Sequence, residues 1–477
     1  MKKVALMTWF HYFNYGTSLQ VTASVHTIKK LGYQVDVINY IPHAKLVTLK
    51  NYKGFNFYYD LIKKKVKNRK ERTIIDQERE KAFEKFLVEN INLTEKCQTA
   101  SDLFLLNDKY DAFVCGSDQI WAPNIFNDKY FLSFVENPKK MIAYAPSIGL
   151  SKIEDPYIKK QMSENISRFE YLSVREAQGA KIIKEICNKE ARVVLDPTML
   201  LSACEWDKLA IGENESKPYI LCYFLGTNKD NWSHVYRLSE KINIPLKIIP
   251  VFTSDYGRGY EVVNGVGPGE FINLVRNASM ICTDSFHGTV FSIIYNKPFY
   301  AYERFSSDDD YSQNSRIYNI LELLGLQDRL VTNTKILPSD PIICDYTNVN
   351  EKLEIEREKS INYLKNALNE ATEDKTAIDF KITNTCCGCG VCSIICPTNA
   401  IEIKRNGNGF LQSFINQDMC IGCNKCKNVC PFSYNKSIDI DKDKHNLYML
   451  KSLDKRILNT SASGGAGYEI SRVLSLE

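Results

Sequence analysis

CCGCGVCSIICP occupies residues 386–397, and a second run, CIGCNKCKNVCP, occupies residues 420–431. In both runs the cysteines follow the spacing C-x2-C-x2-C-x3-C-P, which lets three thiolates surround one face of a cubane cluster. Structural zinc is the alternative interpretation, but zinc sites usually separate two cysteine pairs by a longer loop. The two complete runs therefore predict a module that binds two 4Fe-4S clusters.

The ligands of each cluster follow from the same spacing, because the fourth cysteine of one run reaches across to the other cluster. One cluster is predicted to have Cys386, Cys389, Cys392 and Cys430 as ligands, and the other Cys420, Cys423, Cys426 and Cys396. Gly388, Gly390 and Gly422 allow tight bends that aim backbone N–H groups at the cluster sulfurs. Cys387 remains as a spare thiol.

The cysteine-rich region resembles the bacterial two-cluster ferredoxins. The stretches AIEIK at 400–404 and FLQSFI at 410–415 are the expected hairpin strands. The resemblance implies a small α+β domain, at residues 377–440, that transfers electrons.

The rest of the composition is that of an ordinary globular protein. The chain has 477 residues, of which 44% are apolar and 25% charged, so two or three domains are expected. The net charge of +4 favours neither nucleic acid nor a membrane surface as a partner. One basic run at residues 63–72 suits an anionic glycan lipid or a phosphate-rich partner, with a solvated helix face as the alternative.

The sequence also bears on location. No stretch approaches the roughly 20 apolar residues of a transmembrane helix, and the N-terminus lacks the apolar region of a signal peptide. The seven cysteines outside residues 386–430 are scattered, which is typical of reduced core residues in a cytosolic protein. We therefore expect a cytoplasmic protein, with a peripheral position at the inner membrane face as an alternative.

Residues 1–348 alternate short apolar runs with helical patterns, which indicates βαβ units on parallel sheets. The first series predicts strands in KVALMTW, YQVDVINY, YDAFVCG, KMIAYAPS, YLSV and ARVVLD, and the second in KPYILCYFLG, PLKIIPV, SMICTD and KPFYAYE. A helix is predicted at residues 17–31. The two series join near residue 205 and predict an α/β fold with two facing Rossmann-like domains and a ligand cleft between them.

Six blocks of this region resemble the polysaccharide pyruvyl transferase family. They are FNYGTSLQ at 13–20, GSDQIWAP at 116–123, AYAPSIG at 143–149, SVREAQGA at 173–180, LDPTMLL at 195–201 and DSFHGTVFSIIYNKPF at 284–299. The family is similar in fold to the two-domain GT-B glycosyltransferases. The resemblance implies a transferase that moves the enolpyruvyl unit of phosphoenolpyruvate onto hydroxyls of a cell-surface glycan or its lipid-linked sugar precursor, forming a ketal.

Such chemistry needs an acid or base and a site for phosphate and carboxylate groups. His287 is the candidate acid or base, with Asp284 beside it, because both lie at a strand-to-helix turn whose helix N-terminus favours a phosphate. The resemblance implies an Arg-x-His pair here, but Ser285 occupies the arginine position. The missing positive charge is then expected from Arg175, or from Arg304 or Arg316, with surface ion pairs as the alternative.

The remaining predicted substrate ligands lie at other strand ends. Asp118 and Gln119 follow a strand, where their polar groups could hydrogen-bond the hydroxyls of the acceptor. The alternative is a structural role, in which this turn is a helix N-cap and Trp121 is a packing residue. Asn14 and Gly16 lie at the first βα turn, where backbone N–H groups meet phosphates. Ser285, Gly288 and Arg175 complete the predicted substrate-binding set.

The predicted domains are residues 1–205, 206–348, a helical linker at 349–376, the cluster module at 377–440 and a last segment at 441–477. The last segment resembles the start of the coenzyme-reducing hydrogenase beta subunits through SASGG at 461–465. If so, the natural protein is longer.

Two functions remain open. The first is a pyruvyl transferase-like enzyme with an appended electron-transfer module. The second is an iron-sulfur redox protein that passes electrons to a flavin or deazaflavin in a further domain or partner protein, while the GT-B-like region only binds substrate.

Overall fold

A computed structural model describes residues 1–42, 76–150, 152–305, 313–332, 345–372, 386–430 without 407–408, 417 and 424, 451–460 and 466–474. The chain divides into two compact units, Met1–Glu373 and Asp374–Glu477. The basic run at 63–72 and the SASGG turn at 461–465 lie outside the described residues.

The first half of unit one is a six-stranded parallel sheet with the order β2-β1-β3-β4-β5-β6. Its strands are β1 (Lys3–Met7), β2 (Gln34–Val37), β3 (Ala112–Cys115), β4 (Met141–Ala143), β5 (Tyr171–Val174) and β6 (Arg192–Val193). Its helices are α1 (Tyr15–Lys30), α2 (Gln77–Asn90), α3 (Ala100–Phe104), α4 (Pro156–Ile166), α5 (Ala177–Cys187) and α6 (Ala203–Asp207). The central strands are apolar throughout because helices cover both faces of such a sheet.

The second half repeats this architecture with the order β12-β11-β10-β7-β8-β9, again all parallel. Its strands are β7 (Ile220–Tyr223), β8 (Leu246–Ile248), β9 (Glu261–Val262), β10 (Met280–Thr283), β11 (Phe299–Tyr302) and β12 (Leu330–Val331). Its helices are α7 (Lys229–Ile242), α8 (Pro268–Asn277), α9 (Phe286–Ile294) and α10 (Ser315–Leu324). The predicted pair of Rossmann-like α/β halves is confirmed.

Helix α11 (Thr347–Thr372) is the charged helix that the sequence predicts between the α/β region and the cysteine-rich module. It does not act only as a linker, because Leu353, Leu364 and Leu368 are buried in the core of unit one. Tyr363 donates a hydrogen bond to the Ala143 carbonyl at 3.0 Å, and Ser360 accepts one from the Leu195 amide at 3.0 Å. The described part of α11 therefore belongs to the first unit.

Helix α1 belongs to the first half of unit one and contacts the second half through its N-terminus. Tyr15, its first residue, stacks on Phe271 of α8 with ring centroids 4.6 Å apart, and its hydroxyl donates to the Val266 carbonyl at 2.8 Å. Asn14 caps the helix by accepting from the Gly16 amide at 2.9 Å. These contacts hold the N-terminus of α1 against the second half.

Unit two contains the predicted antiparallel hairpin, β13 (Ile401–Arg405) and β14 (Leu411–Ile415), with Ile401 paired with Ile415. Its described helices are α12 (Val391–Ile394), α13 (Lys425–Val429), α14 (Lys455–Thr460) and α15 (Ala466–Leu474). In the part of the chain that the structure describes, no helix has the length and apolarity needed to cross a membrane.

Candidate active site and cluster ligands

A cavity of about 350 Å³ lies between the two halves of unit one. The first half lines it with Trp9, Tyr12, Asn14, Thr17, Asp118 and Gln119, and the second half with Leu225, Ser285, Phe286, His287, Arg304, Gln313 and Arg316. Most of these residues follow the carboxyl ends of β1, β3, β7, β10 and β11, where ligands of open parallel sheets bind. The cleft expected from the sequence is therefore present.

His287 lies at the junction of the two halves. Its ring packs so closely on Gly16 that a Cβ atom there would lie 1.9 Å from Nδ1. On the other side, Nε2 is 3.7 Å from Oδ2 of Asp196, a carboxylate that is buried completely. The imidazole is thus held between a glycine of the first βα turn and a buried acid.

Asp196 is the centre of a buried polar network. Its carboxylate accepts from Arg175 Nη1 at 2.7 Å, from the Thr198 hydroxyl at 2.7 Å and from the Ser117 hydroxyl at 3.3 Å. Burial alone would raise the pKa of Asp196, but the neighbouring His287 imidazole and the charge and hydrogen bond of Arg175 hold it far below its usual value. Asp196 is therefore an ionised partner for His287.

Arg175 stands behind this network and is not among the residues that line the cavity. Its Nε donates to Glu176 at 3.0 Å, and its guanidinium lies over the Phe286 ring at 4.6 Å. Burial alone would lower the pKa of Arg175, but Glu176 and Asp196 raise it above its ordinary value. Arg175 neutralises the buried carboxylates of Glu176 and Asp196 and does not line the cavity.

Arg304 and Arg316 line the cavity and bring the positive charge that Ser285 does not supply. Arg316 is buried, and its guanidinium donates to the neutral Gln313 side chain at 2.9 Å. Among the described residues, no carboxylate forms a salt bridge with it within 4.0 Å. Burial, with the like charges of Arg175 and Arg304, lowers the pKa of Arg316 to about 9, so the group is cationic at neutral pH. This buried cation favours an anionic ligand.

Of the predicted site residues at the turn before α9, some line the cavity and others lie behind it. Ser285 lines the cavity and caps α9, accepting from the Gly288 amide at 3.3 Å. Asp284 does not line it, because its carboxylate accepts from the Leu225 and Gly226 amides at 2.6 and 2.8 Å. Burial raises the pKa of Asp284, opposed by Arg304 and by these amides. Gly288 lies against Thr283, where a Cβ would approach to 2.4 Å.

The first half contributes acceptors and an amide to the cavity. Asp118 accepts from the Thr17 hydroxyl at 2.8 Å, and its backbone is in the left-handed region with φ of 60°. The Gln119 side-chain nitrogen is buried and has no hydrogen-bond partner in the part of the chain that the structure describes. Trp121 packs on Phe131 with centroids 4.9 Å apart, the packing role that the alternative interpretation gives it. Asn14 combines lining the cavity with capping α1.

In unit two, one small cavity is lined by Cys386, Cys389, Cys392 and Cys430, the four ligands predicted for one cluster, together with the spare Cys387. Gly388 and Gly390 have φ of 66° and 80°, so the bends expected of them are present. Burial alone would raise the pKa of the Cys386 thiol, but the Gly388 and Ser413 amides hold it below its ordinary value. The donor set fits a 4Fe-4S cluster, which requires thiolates and N–H groups aimed at sulfur.

Three of the four cysteines in the second predicted ligand set, all except Cys423, lie around the hairpin core. Cys426 is buried with Ile401, and Cys396 and Cys420 pack against the same cluster of side chains. The Ala400 amide donates to Cys396 Sγ at 3.3 Å. No group of described His, Cys, Asp and Glu side chains converges as a single-ion site. A cubane differs from such a site because each thiolate binds a separate iron atom.

Sequence reasoning missed several cavity and network residues. Asp196 lies within a quoted block but far along the chain from His287, so only the folded sheet brings the two together. Trp9, Tyr12 and Thr17 belong to the first βα turn, where the only signal was a single glycine.

Comparisons with known proteins agree with this description. The chain matches the sequence profile of "Polysaccharide pyruvyl transferase" over residues 14–306 and that of "4Fe-4S dicluster domain" over residues 385–434. No curated protein sequence is significantly similar to it.

Solved structures with similar folds include a UDP-GlcNAc 2-epimerase from Neisseria meningitidis bound to UDP-GlcNAc, at 11% identity and a TM-score of 0.41, covering 78% of this chain and 97% of that one. Another is UGT89C1 from Arabidopsis thaliana, at 12% identity and a TM-score of 0.41, covering 78% and 99%.

Proposed function

Because the chain belongs to the polysaccharide pyruvyl transferase family, we propose that its inter-half cavity transfers the pyruvyl unit of phosphoenolpyruvate onto a glycan or lipid-linked sugar. The observation that carries the proposal is the buried Arg316 beside His287 in one cavity. A buried cation without a carboxylate partner among the described residues is a site for an anionic substrate group. The adjacent imidazole provides the acid or base.

The donor lies on the wall formed by the second half. Arg316 and Arg304 bind the phosphate and carboxylate groups, since guanidinium groups match the geometry of both anions. The N-terminus of α9, capped by Ser285, adds partial positive charge on the same side. Two arginines from elsewhere in the second half thus replace the arginine expected two residues before His287.

The reaction joins two hydroxyls of one sugar to C2 of phosphoenolpyruvate. Protonation of C3 forms the methyl group, one hydroxyl adds to C2, the C2–O bond to phosphate breaks, and the second hydroxyl closes the ketal. Of the two hydroxyl protons, one balances the new C–H bond and the other leaves with phosphate. No electron is gained or lost.

His287 moves these protons between hydroxyl and C3, and Asp196 stabilises the protonated imidazole through its negative charge. Asp118 and Gln119 bind acceptor hydroxyls from the first half. We propose positioning roles for Asp284 and Arg175. Asp284 accepts hydrogen bonds from the backbone that follows β7, and Arg175 donates one to Asp196. Asn14, Gly16 and Gly288 shape the walls through backbone packing.

The test is phosphate release from phosphoenolpyruvate with a panel of polysaccharides and lipid-linked sugars, together with product mass. We expect release and a pyruvate ketal with the native chain, and loss of both in His287→Ala. His26→Ala is the matched control, because His26 lies on α1 away from the cavity and should leave the rate unchanged. Absence of transfer with every acceptor would contradict the proposal.

A second role is supported by the cysteine-rich unit. We propose that its eight predicted ligands hold two 4Fe-4S clusters, which supply one-electron transfer when bound. Because ketal formation consumes no electrons, the clusters need a different electron acceptor, and a flavin or deazaflavin in a further domain or a partner protein is the proposed one. Comparing glycan turnover by the anaerobic protein with and without a low-potential reductant tests the alternative, in which the α/β unit only presents a substrate. Turnover that requires the reductant would favour that alternative.

A further inference from the structure

The loop between β1 and α1 presents two aromatic rings to the cavity. Trp9 and Tyr12 both line it, with ring centroids 5.5 Å apart and planes at 83°. Tyr12 is 45% exposed although it is a large apolar side chain beside a pocket. An exposed aromatic pair beside a cleft offers apolar surface on which a ligand can pack.

The loop is held in place rather than free to collapse. The Gln20 side chain donates to the Trp9 carbonyl at 3.0 Å and to the Thr8 hydroxyl at 3.1 Å. The Trp9 ring also meets Tyr130 edge-on at 6.3 Å. The two rings are therefore a preformed surface.

The two walls of the cavity differ in charge. Both lining arginines come from the second half, whereas the described lining residues of the first half carry one carboxylate, Asp118, and no cation. Burial and the charge of Asp118 raise the pKa of Tyr12, so that phenol stays neutral. An anionic ligand is attracted to the second wall and repelled from the first.

Polar groups beside the rings are available to hydroxyls. One Asp118 carboxylate oxygen accepts a hydrogen bond from the Thr17 hydroxyl, and the other accepts one from the Gln119 backbone N–H at 2.9 Å. Both oxygens keep further lone pairs for a ligand. Among the described residues the buried Gln119 side-chain nitrogen lacks a hydrogen-bond partner, so it is a donor that a ligand oxygen would satisfy.

We propose that Trp9 and Tyr12 bind an uncharged pyranose ring of the acceptor through its C–H face, with Asp118 and Gln119 binding its hydroxyls. Sugar C–H groups carry partial positive charge and pack on the negative face of an aromatic ring. Uronic acids and other acidic sugars are excluded at this subsite, because their carboxylate would face Asp118. The inference rests on the proposed function for the reaction that follows, but sugar binding itself requires no donor.

The native protein contains its own reporter. Of its four tryptophans, Trp121, Trp206 and Trp232 are buried at 4% exposure or less, whereas Trp9 is partly exposed at the cavity. Acrylamide quenching of the full chain is therefore measured with the methyl glycosides of glucose, galactose and mannose, and with methyl glucuronide and methyl galacturonide.

We expect at least one neutral glycoside to protect Trp9 from quenching, with both uronides at least about 10-fold weaker. Tyr12→Ala should weaken protection about 10-fold through loss of one stacking face, whereas Tyr12→Phe should retain it. Unchanged emission of the three buried tryptophans shows that a variant is folded. No protection by any neutral glycoside, stronger protection by a uronide, or an unchanged Tyr12→Ala would overturn the inference. Protection without pyruvyl transfer would reject the proposed function and leave this subsite intact.

Discussion

Replacing Gly16 with alanine tests the packing of His287 directly. The new Cβ would lie 1.9 Å from Nδ1 and 2.4 Å from Cε1 of the imidazole. To reach ordinary contact at 3.4 Å, the ring must retreat by about 1.5 Å, and Asp196 lies on its far side. The His287 imidazole is therefore displaced, not merely crowded.

The expected magnitudes differ between stability and rate. Alanine should stabilise α1 by about 1 kcal/mol relative to glycine, while overpacking costs about 1–3 kcal/mol. The net change in the free energy of unfolding should then be a loss of up to about 2 kcal/mol. A displacement of more than 1 Å should lower kcat about 100-fold.

Gly179→Ala provides the matched control. Gly179 also lies in the first turn of a helix of the first half, but a Cβ there meets Val174 at 3.6 Å, an ordinary contact. That variant should be as active as the native chain and slightly more stable. Unfolding followed by tryptophan fluorescence reports on unit one alone, because all four tryptophans lie there. Equal rates for the two variants would refute the proposed clamp on His287.

Three further changes have expected outcomes. Arg316→Gln should raise the KM for phosphoenolpyruvate at least about 10-fold in steady-state kinetics, with acceptor KM unchanged, because one charge-assisted contact is lost; an unchanged donor KM would place the anion elsewhere. Asp196→Asn should lower the free energy of unfolding by about 3 kcal/mol at pH 7, since Arg175 and His287 lose their shared partner. The folded-state pKa of Asp196 is depressed, so its ionised carboxylate stabilises the fold at pH values above the unfolded pKa of about 3.9 and does so less at lower pH. Denaturant titrations should therefore show that the difference in free energy of unfolding between the native chain and Asp196→Asn becomes smaller in acid. Cys392→Ser should reduce the iron and sulfide bound per chain while leaving pyruvyl transfer intact, and loss of transfer would couple the two units.

The fold could be predicted largely from local pattern. Buried parallel strands are continuous apolar runs, so those with three or more residues are recognisable, whereas β9 and β12 have two residues each and leave no periodic signal. The equally short β6 is predictable because it lies in the longer apolar run ARVVLD. The cluster ligands were equally accessible, because their spacing is a property of consecutive residues. The many charged residues of α11 predict a linker, but the helix packs on unit one through buried apolar residues that include Leu364.

The candidate site could be predicted only in part. His287 and Ser285 share a turn with a readable motif, and Asp118 follows a strand in the same way. The pairing of His287 with Asp196 and the packing of Arg175 on Phe286 depend on contacts between segments that lie far apart in the chain. Such contacts are set by the register of two sheets, which no single segment encodes.

The close contact between Gly16 and His287 joins residues of opposite halves. The imidazole is therefore aligned only while the halves are seated on each other, with Tyr15 as the fastening. Any widening of the cleft that admits a bulky glycan also releases the ring from its clamp. In the proposed transferase, proton transfer by His287 is then confined to the closed cleft, so the open form would not lose its donor to water.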